Sequence, residues 1–216
     1  MITRRLVTHG CSFTYGEELA DPSSSSWPAL VAKQLGLDLL NLAKPAYSND
    51  LILEDLVSTD INKESFQDLV IVGWTSHSRI GLKDRNGWFT TRANARDNHG
   101  HRSDINKLLI TELDADWLRD RWLRQVLLAQ SYLQSKHAKY LFLSAFDNLD
   151  RLNAKNDLLT KLDSNHFVGW PNQQMVDWVY PHALGPNRHP LDDGHAAIAN
   201  AVLGKVYELY NLPRRN

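Results

Sequence analysis

The 216-residue sequence has one cysteine, Cys11, and no long apolar run. A single cysteine excludes an internal disulfide, and low cysteine usage is typical of a reducing compartment. No stretch reaches the ~18 consecutive apolar residues of a membrane-spanning helix, and no apolar signal core follows the arginines near the start. These absences predict a cytoplasmic protein that is neither inserted in a membrane nor exported through a cleaved signal.

An excess of charge of one sign is also absent. Lys and Arg total 24 against 25 Asp and Glu, for a formal net charge of -1. Balanced charge gives no global attraction to nucleic acid or to an anionic membrane, so neither is predicted as a partner. The sequence lacks the lysine of a phosphate-binding loop and a Gly-x-Gly-x-x-Gly turn, which argues against a nucleotide cofactor.

The histidines and the cysteine do not form a specific metal-binding pattern. His99 and His101, with His77, resemble a short ligand set, but no further cysteine and no carboxylate at ligand spacing accompanies them. We therefore expect solvated loop histidines and no metal. Cys11 is expected to be a small buried thiol, because its side chain should point away from that of Ser12.

Apolar runs that suit buried strands alternate with segments of helical spacing. The predicted strands are 6–8, 37–42, 69–74 and 140–143, and the predicted helices are 27–35, 49–57, 115–137 and 194–209. This alternation predicts an α/β protein in which a parallel sheet carries helices on both faces. The length favours a single domain over residues 1–216.

One polar region, from about residue 77 to 104, interrupts the alternation. It contains the pair Asn86-Gly87 followed by Trp88 and Phe89, which predicts a β-hairpin. We expect this region to be an insertion or a lid above the third strand.

The first strand is followed at once by Gly10-Cys11-Ser12. Backbone N–H groups converge where a strand gives way to a helix, so a hydroxyl displayed there is a candidate nucleophile. A serine nucleophile needs a base, and the base needs a group that fixes its tautomer. Asp192 precedes His195 by three residues at the start of the last helix, a spacing at which the carboxylate can reach the imidazole.

Four short blocks resemble, in order, those of the SGNH or GDSL-like hydrolases. They are residues 10–16 (GCSFTYG), 26–28 (SWP), 41–49 (NLAKPAYSN) and 192–195 (DDGH). The resemblance spans nearly the whole chain. It implies a flavodoxin-like three-layer α/β/α sandwich with a mostly parallel sheet of about five strands. It also implies a triad in which Ser12 is the nucleophile, His195 the general base and then acid, and Asp192 its orienting partner.

The resemblance also implies an oxyanion hole made from the serine N–H, a second-block N–H and a side chain after the third strand. Ala46 stands where that family has a glycine, and Thr75 stands where it has an asparagine. Asn49 is an alternative donor. Arg79 is a candidate for binding a substrate carboxylate or phosphate, with a surface salt bridge as the alternative.

Together these residues predict a serine esterase without a cofactor. It would cleave carboxylic esters of small molecules or carbohydrates, including O-acetyl esters, through an acyl-enzyme on Ser12. Two alternatives stay open: an acyltransferase that uses the same triad, and a non-catalytic binding module of the same fold.

Overall fold

A computed structural model describes residues 5–59, 68–91, 104–105, 112–146, 156–180 and 182–210. The strands in these ranges are β1 (Arg5–Gly10), β2 (Asp38–Asn41), β3 (Leu69–Trp74), β4 (Ile80–Asp84), β5 (Gly87–Thr91) and β6 (Lys139–Ser144). The α-helices are α1 (Ser12–Tyr15), α2 (Pro22–Ser25), α3 (Trp27–Leu35), α4 (Asn49–Ser58), α5 (Ala115–Ser135), α6 (Met175–Val179) and α7 (Asp192–Tyr210). Short 3₁₀ turns cover Leu159–Lys161 and Ser164–His166.

The main sheet is parallel and has the strand order β2-β1-β3-β6. The chain moves from β1 to β2 on one side and then crosses to β3 on the other. Open α/β sheets bind ligands beyond the carboxyl ends of the strands at such a reversal. The fold therefore places its natural crevice at the ends of β1 and β3, where Gly10 pairs with Gly73.

Helices cover both faces of this sheet because its strands alternate their buried side chains between two cores. Ile71 of β3 packs with α3 and α7, while Val70 and Val72 pack with α4 and α5. Every residue of β3 is buried, as expected for a strand covered on both faces. This arrangement confirms the predicted α/β class with a parallel sheet between layers of helices.

Within the described ranges this sheet has four strands, against the about five that the resemblance implied. In the part of the chain that the structure describes, β6 is followed only by a parallel bridge between Phe142 and Phe167. The Val168 N–H donates to the Phe142 carbonyl at 2.8 Å. At this edge of the sheet the described residues form a single bridge in place of a fifth strand.

The predicted hairpin is present as β4 and β5, which pair antiparallel directly after β3. Its turn contains Asn86, whose N–H donates to the Asp84 carboxylate at 2.7 Å, and Gly87, whose φ is 115°. A positive φ favours glycine, which explains why the Asn-Gly pair correctly predicted the turn of a hairpin here. Residues 92–103 of the expected lid lie outside the described ranges, and a lid function stays a prediction.

Helix α3 matches its predicted bounds, and α7 begins two residues earlier than predicted. Helix α5 ends at Ser135 rather than at 137, because His137 takes a φ of 53° that a right-handed helix does not allow.

Candidate active site

Ser12 lies at the carboxyl end of β1, as the first residue of the four-residue helix α1. The Cys11 carbonyl accepts the N–H groups of Thr14 and Tyr15, both at 2.9 Å, and so closes the turn. Ser12 is 3% exposed, whereas Cys11 is fully buried in the core. Of the two residues, the serine borders the cleft described below, and the thiol packs in the core.

Glycines at the ends of β1 and β3 allow α1 to sit close to the sheet. A Cβ on Gly10 would lie 2.3 Å from the Thr14 hydroxyl oxygen, and a Cβ on Gly73 would lie 2.4 Å from the same atom. Thr14 is fully buried between these strand ends. Close packing of α1 on the sheet fixes the position of Ser12.

A cleft of about 430 Å³ opens at this edge of the sheet. Its lining comes from four parts of the chain: the turn after β1, the loop before α4, the segment after β3 and the loop before α7. The lining residues are Ser12, Glu17, Ala46, Arg79, Asn187 and His189. The cleft thus combines a hydroxyl, an imidazole, a carboxylate and a guanidinium.

His189 is the imidazole that shares the cleft with Ser12. Its Nδ1 lies 3.0 Å from Glu18 Oε2, and its ring stands edge-on to Phe13 with centroids 5.9 Å apart. A carboxylate on the Nδ1 of a histidine orients the ring of the base in Ser-His-Asp triads. The Glu18 carboxylate therefore fixes the orientation of the His189 ring beside the cleft.

The Glu18 carboxylate binds the loop before α7 through several hydrogen bonds. It accepts the backbone N–H groups of Asn187 and His189, at 2.9 and 3.1 Å, together with the Asn187 side-chain amide at 3.1 Å. Burial raises the pKa of Glu18, but the hydrogen bonds from Asn187 and His189 outweigh it and lower the pKa below its ordinary value. Glu18 is thus an ionised partner for the imidazole.

A second carboxylate contacts the opposite nitrogen of the same ring. Glu17 Oε2 lies 3.2 Å from His189 Nε2, and the Glu17 side chain is 39% exposed at the cleft rim. His189 is accordingly held between two acidic side chains. For Nε2 to accept the Ser12 proton, the Glu17 contact has to be exchanged for the serine hydroxyl.

The structure does not place His195 in the cleft lining with Ser12. His195 is fully buried, and its Nδ1 accepts the Trp27 backbone N–H at 3.1 Å. Burial lowers the pKa of His195 to about 4, against a smaller effect of Asp192 that raises it. A neutral ring with Nδ1 as acceptor carries its proton on Nε2, so it cannot donate from Nδ1 to a carboxylate.

This geometry corrects the expected pairing of Asp192 with His195. Asp192 is exposed in the first turn of α7, while the His195 ring reaches inward to the start of α3. Ser26, the residue that precedes α3, makes no side-chain capping hydrogen bond. His195 satisfies one of the orphan N–H groups at that helix start instead.

Asn49 and Thr75 are both in the interior and bind each other. Asn49 Nδ2 donates to the carbonyls of Thr75 and Ser76, at 3.1 and 3.2 Å, and its Oδ1 accepts the Thr75 N–H at 2.9 Å. Both residues are 0% exposed. This corrects the expected place of Asn49 as an oxyanion donor, since its amide is used to hold the chain after β3, while the role of the Thr75 hydroxyl stays a prediction.

Ala46 does line the cleft, and it adopts a φ of 65°. This left-handed conformation favours glycine and costs a residue with a Cβ about 1–2 kcal/mol. Within the described ranges, the backbone N–H groups of Ser12 and Ala46 donate no hydrogen bond to the protein. Both remain available to a ligand in the cleft.

Arg79 lines the cleft on the Ala46 side. Its guanidinium lies 5.5 Å from the centre of the Phe146 ring, and its Nη1 is 3.5 Å from the Tyr47 carbonyl oxygen. Binding of a substrate carboxylate or phosphate by Arg79 stays a prediction.

Within the described ranges, no group of three or more His, Cys, Asp or Glu is arranged to hold a metal ion. His99 and His101 lie outside these ranges. None of the described helices combines the length and apolar character needed to cross a membrane.

Solved structures of SGNH and GDSL-like proteins share the fold over nearly the full chain. The crystal structure of TesA is 14% identical and covers 95% of this chain and 99% of its own, with a TM-score of 0.59. A member of the lipolytic protein G-D-S-L family from Veillonella parvula DSM 2008 is 12% identical, covers 97% and 99%, and has a TM-score of 0.53. The acetyl xylan esterase Est2A from the rumen bacterium Butyrivibrio proteoclasticus is 15% identical with a TM-score of 0.57; it covers 99% of this chain and 66% of its own.

These similarities show that the chain has the SGNH hydrolase fold, as the sequence blocks predicted. A protein-family model described as "Family of unknown function (DUF6071)" matches residues 18–216. No curated protein sequence matches the chain.

Proposed function

Because the chain belongs to DUF6071, a family of unknown function, its activity has to be inferred from the cleft, and we propose that it is a serine esterase. The observation that carries the proposal is one cleft lined by Ser12 and His189, with His189 Nδ1 3.0 Å from Glu18 Oε2. A nucleophile, a base and a carboxylate that orients the base are the parts that acyl transfer requires.

In the proposed reaction His189 Nε2 removes the Ser12 proton as Oγ attacks the ester carbonyl. The tetrahedral intermediate collapses when the alkoxide leaves and takes the proton from Nε2. A water molecule, deprotonated by the same nitrogen, then attacks the acyl-serine, and the acid is released as Ser12 Oγ regains the proton. Glu18 stabilises the imidazolium that forms at each stage.

The N–H groups of Ser12 and Ala46 are the proposed donors to the oxyanion. Each oxyanion donor contributes about 100- to 1000-fold to turnover in enzymes of this kind. With the amide of Asn49 engaged behind the cleft, two backbone donors support the reaction instead of the three that the resemblance implied.

His189 replaces His195 in this proposal for two reasons. His195 Nδ1 is bound to Trp27, and the ring is fully enclosed by protein. His189 borders the cleft and carries a carboxylate on Nδ1. The same reasoning replaces Asp192 by Glu18 as the orienting acid.

The general substrate class is a carboxylic ester. Within this class we propose O-acetyl esters of carbohydrates. Support comes from the fold alone, because a protein with the same fold is, by its name, an acetyl xylan esterase.

The test is hydrolysis of 4-nitrophenyl acetate by the purified protein and its Ser12→Ala and Cys11→Ala variants, each checked for folding by circular dichroism. We expect Ser12→Ala to lose at least about 1000-fold in kcat, and Cys11→Ala to keep most of the activity. A fluorophosphonate should add its mass to wild type but not to Ser12→Ala. Activity that survives in Ser12→Ala would contradict the proposal.

A further inference from the structure

The two carboxylates that contact His189 differ in how firmly they are held. Glu18 accepts the backbone N–H groups of Asn187 and His189 and the Asn187 side-chain amide, in addition to its contact with Nδ1. In the described part of the chain, the Glu17 carboxylate has a single polar contact, in which its Oε2 lies 3.2 Å from His189 Nε2. The Glu18 side chain is therefore fixed, whereas the Glu17 side chain is released when one contact is broken.

The backbone of Glu17 is bound to the turn that carries Ser12. The Ser12 carbonyl accepts the N–H groups of Gly16 and Glu17, at 3.0 and 3.1 Å, and Gly16 has a φ of 91°, which favours glycine. Glu17 also lines the cleft together with Ser12 and His189. Rotation of the Glu17 side chain thus makes or breaks the contact with Nε2 while the backbone of the nucleophile stays in place.

The contact with Glu17 prevents His189 from acting as a base. Nε2 is the nitrogen that has to accept the Ser12 proton in the proposed reaction. A carboxylate oxygen only accepts hydrogen bonds, so it pairs with Nε2 while that nitrogen holds a proton and offers no lone pair. Glu17 therefore blocks the base in the free enzyme, and a productive substrate has to move this side chain aside.

The alcohol part of a bound ester has to lie beside Glu17. Nε2 donates a proton to the leaving alkoxide oxygen, so this oxygen must come within hydrogen-bond distance of Nε2. Glu17 Oε2 is 3.2 Å from the same nitrogen. A hydroxyl on the carbon next to the esterified one is then close enough to donate a hydrogen bond to the displaced carboxylate.

Such a hydroxyl offers the Glu17 carboxylate a new partner in exchange for the imidazole. Hydrogen bonds to an ionised carboxylate are about twice as strong as those between neutral groups. Glu17 is half-buried, so an alcohol part without a donor removes water from the carboxylate and returns no hydrogen bond. Substrates with and without a neighbouring hydroxyl therefore differ in how easily they free His189.

From this geometry, and resting on the proposed esterase function, we propose that Glu17 determines which alcohol part the enzyme accepts. It blocks His189 Nε2 in the free enzyme and is drawn away by esters that carry a free hydroxyl next to the ester bond. Partially acetylated sugars are substrates of this chemical class.

The experiment compares 2-hydroxyethyl acetate with 2-methoxyethyl acetate in wild type, Glu17→Gln and Glu54→Gln. The two esters share the acyl group and the position of the second oxygen, and only the first has a donor. Glutamine keeps the shape of the glutamate side chain and removes its charge. Glu54 is the matched control, because it is an exposed glutamate of α4 outside the cleft lining. Acid release is followed by pH-stat, and folding is checked by circular dichroism.

We expect wild type to prefer 2-hydroxyethyl acetate, and Glu17→Gln to lower this preference in kcat/KM by about tenfold or more. Glu17→Gln should also raise kcat/KM for 2-methoxyethyl acetate, because the carboxylate no longer blocks Nε2. Glu54→Gln should behave as wild type. An unchanged preference in Glu17→Gln would overturn the proposal. An equal loss on both esters would also overturn it, because Glu17 would then serve the reaction or the fold and not substrate choice.

Calorimetric binding of methyl β-xyloside, an alcohol with neighbouring hydroxyls and no ester, separates this proposal from the esterase function. Binding that Glu17→Gln weakens, in a protein without Ser12-dependent hydrolysis, would overturn the esterase function and leave the Glu17 site supported. Ser12-dependent hydrolysis, with hydroxyl preference and xyloside binding both unchanged in Glu17→Gln, would overturn the Glu17 site alone. Absence of both Ser12-dependent hydrolysis and Glu17-dependent binding would overturn both.

Discussion

Two buried histidines are predicted to make the fold sensitive to acid. His9 in β1 is 1% exposed and His195 in α7 is 0% exposed. Burial lowers the pKa of each to about 4 from the ordinary 6.5. Near His9, Asp55 raises the pKa and Lys44 lowers it, both less than burial does. Because the folded pKa lies below the unfolded one, the unfolded chain binds more protons as the pH falls, and stability is lost between about pH 6.5 and 4.

The size of the effect follows from the two pKa values. Each buried histidine contributes a slope of about 1.4 kcal/mol per pH unit inside that window and a total loss of roughly 3 kcal/mol. Domains are commonly stable by about 5–15 kcal/mol, so losing both contributions is a large fraction of the total. Above about pH 7 neither histidine should affect how the free energy of unfolding depends on pH.

The assay is urea unfolding followed by tryptophan fluorescence between about pH 4.5 and 7.5. His195→Asn removes the titrating group while its side-chain oxygen can still accept the Trp27 N–H. We expect the slope of unfolding free energy against pH to fall by about 1.4 kcal/mol per unit. His182→Asn, a change at an exposed position, should keep the wild-type slope. A slope unchanged in His195→Asn would refute the reasoning.

Three further substitutions test the site. Glu18→Gln should lower kcat/KM by about 100-fold or more, because the neutral amide no longer stabilises the His189 imidazolium. Steady-state kinetics on a variant shown to be folded would measure this loss, and a change below about threefold would count against the triad. Ala46→Gly should raise the unfolding free energy by about 1 kcal/mol by relieving the left-handed φ, and a denaturation curve shifted the other way would contradict this. Asn49→Asp should destabilise by about 2–4 kcal/mol, because a carboxylate replaces the amide donor facing the Thr75 and Ser76 carbonyls; unchanged urea denaturation would rule that out.

The fold was predictable because its strong signals are local. Strand β3 is an uninterrupted apolar run, α3 ends at Gly36 with a φ of 65°, and the hairpin carries Asn86-Gly87 at its turn. Each of these features follows from the chemistry of a few neighbouring residues. Ser12 was predicted as the nucleophile for the same reason, since its turn immediately follows β1.

The rest of the site was not predictable from spacing. Glu18 and His189 are 171 residues apart, so no local pattern joins them. Asp192 and His195 have a suggestive local spacing, but tertiary packing draws the His195 ring to the start of α3. The available signals were His189-Pro190 in the loop before α7 and the acidic pair Glu17-Glu18 after the Ser12 turn. Only the fold brings these two segments together.

The most direct test of the account compares two histidine variants in Ser12-dependent ester hydrolysis. At about pH 8, above the window in which buried histidines affect folding, His189→Asn should lose at least about 1000-fold in kcat/KM. His195→Asn should stay within about tenfold of wild type, because its ring caps a helix and does not line the cleft. The reverse result, with activity lost in His195→Asn and kept in His189→Asn among folded variants, would contradict the proposed triad.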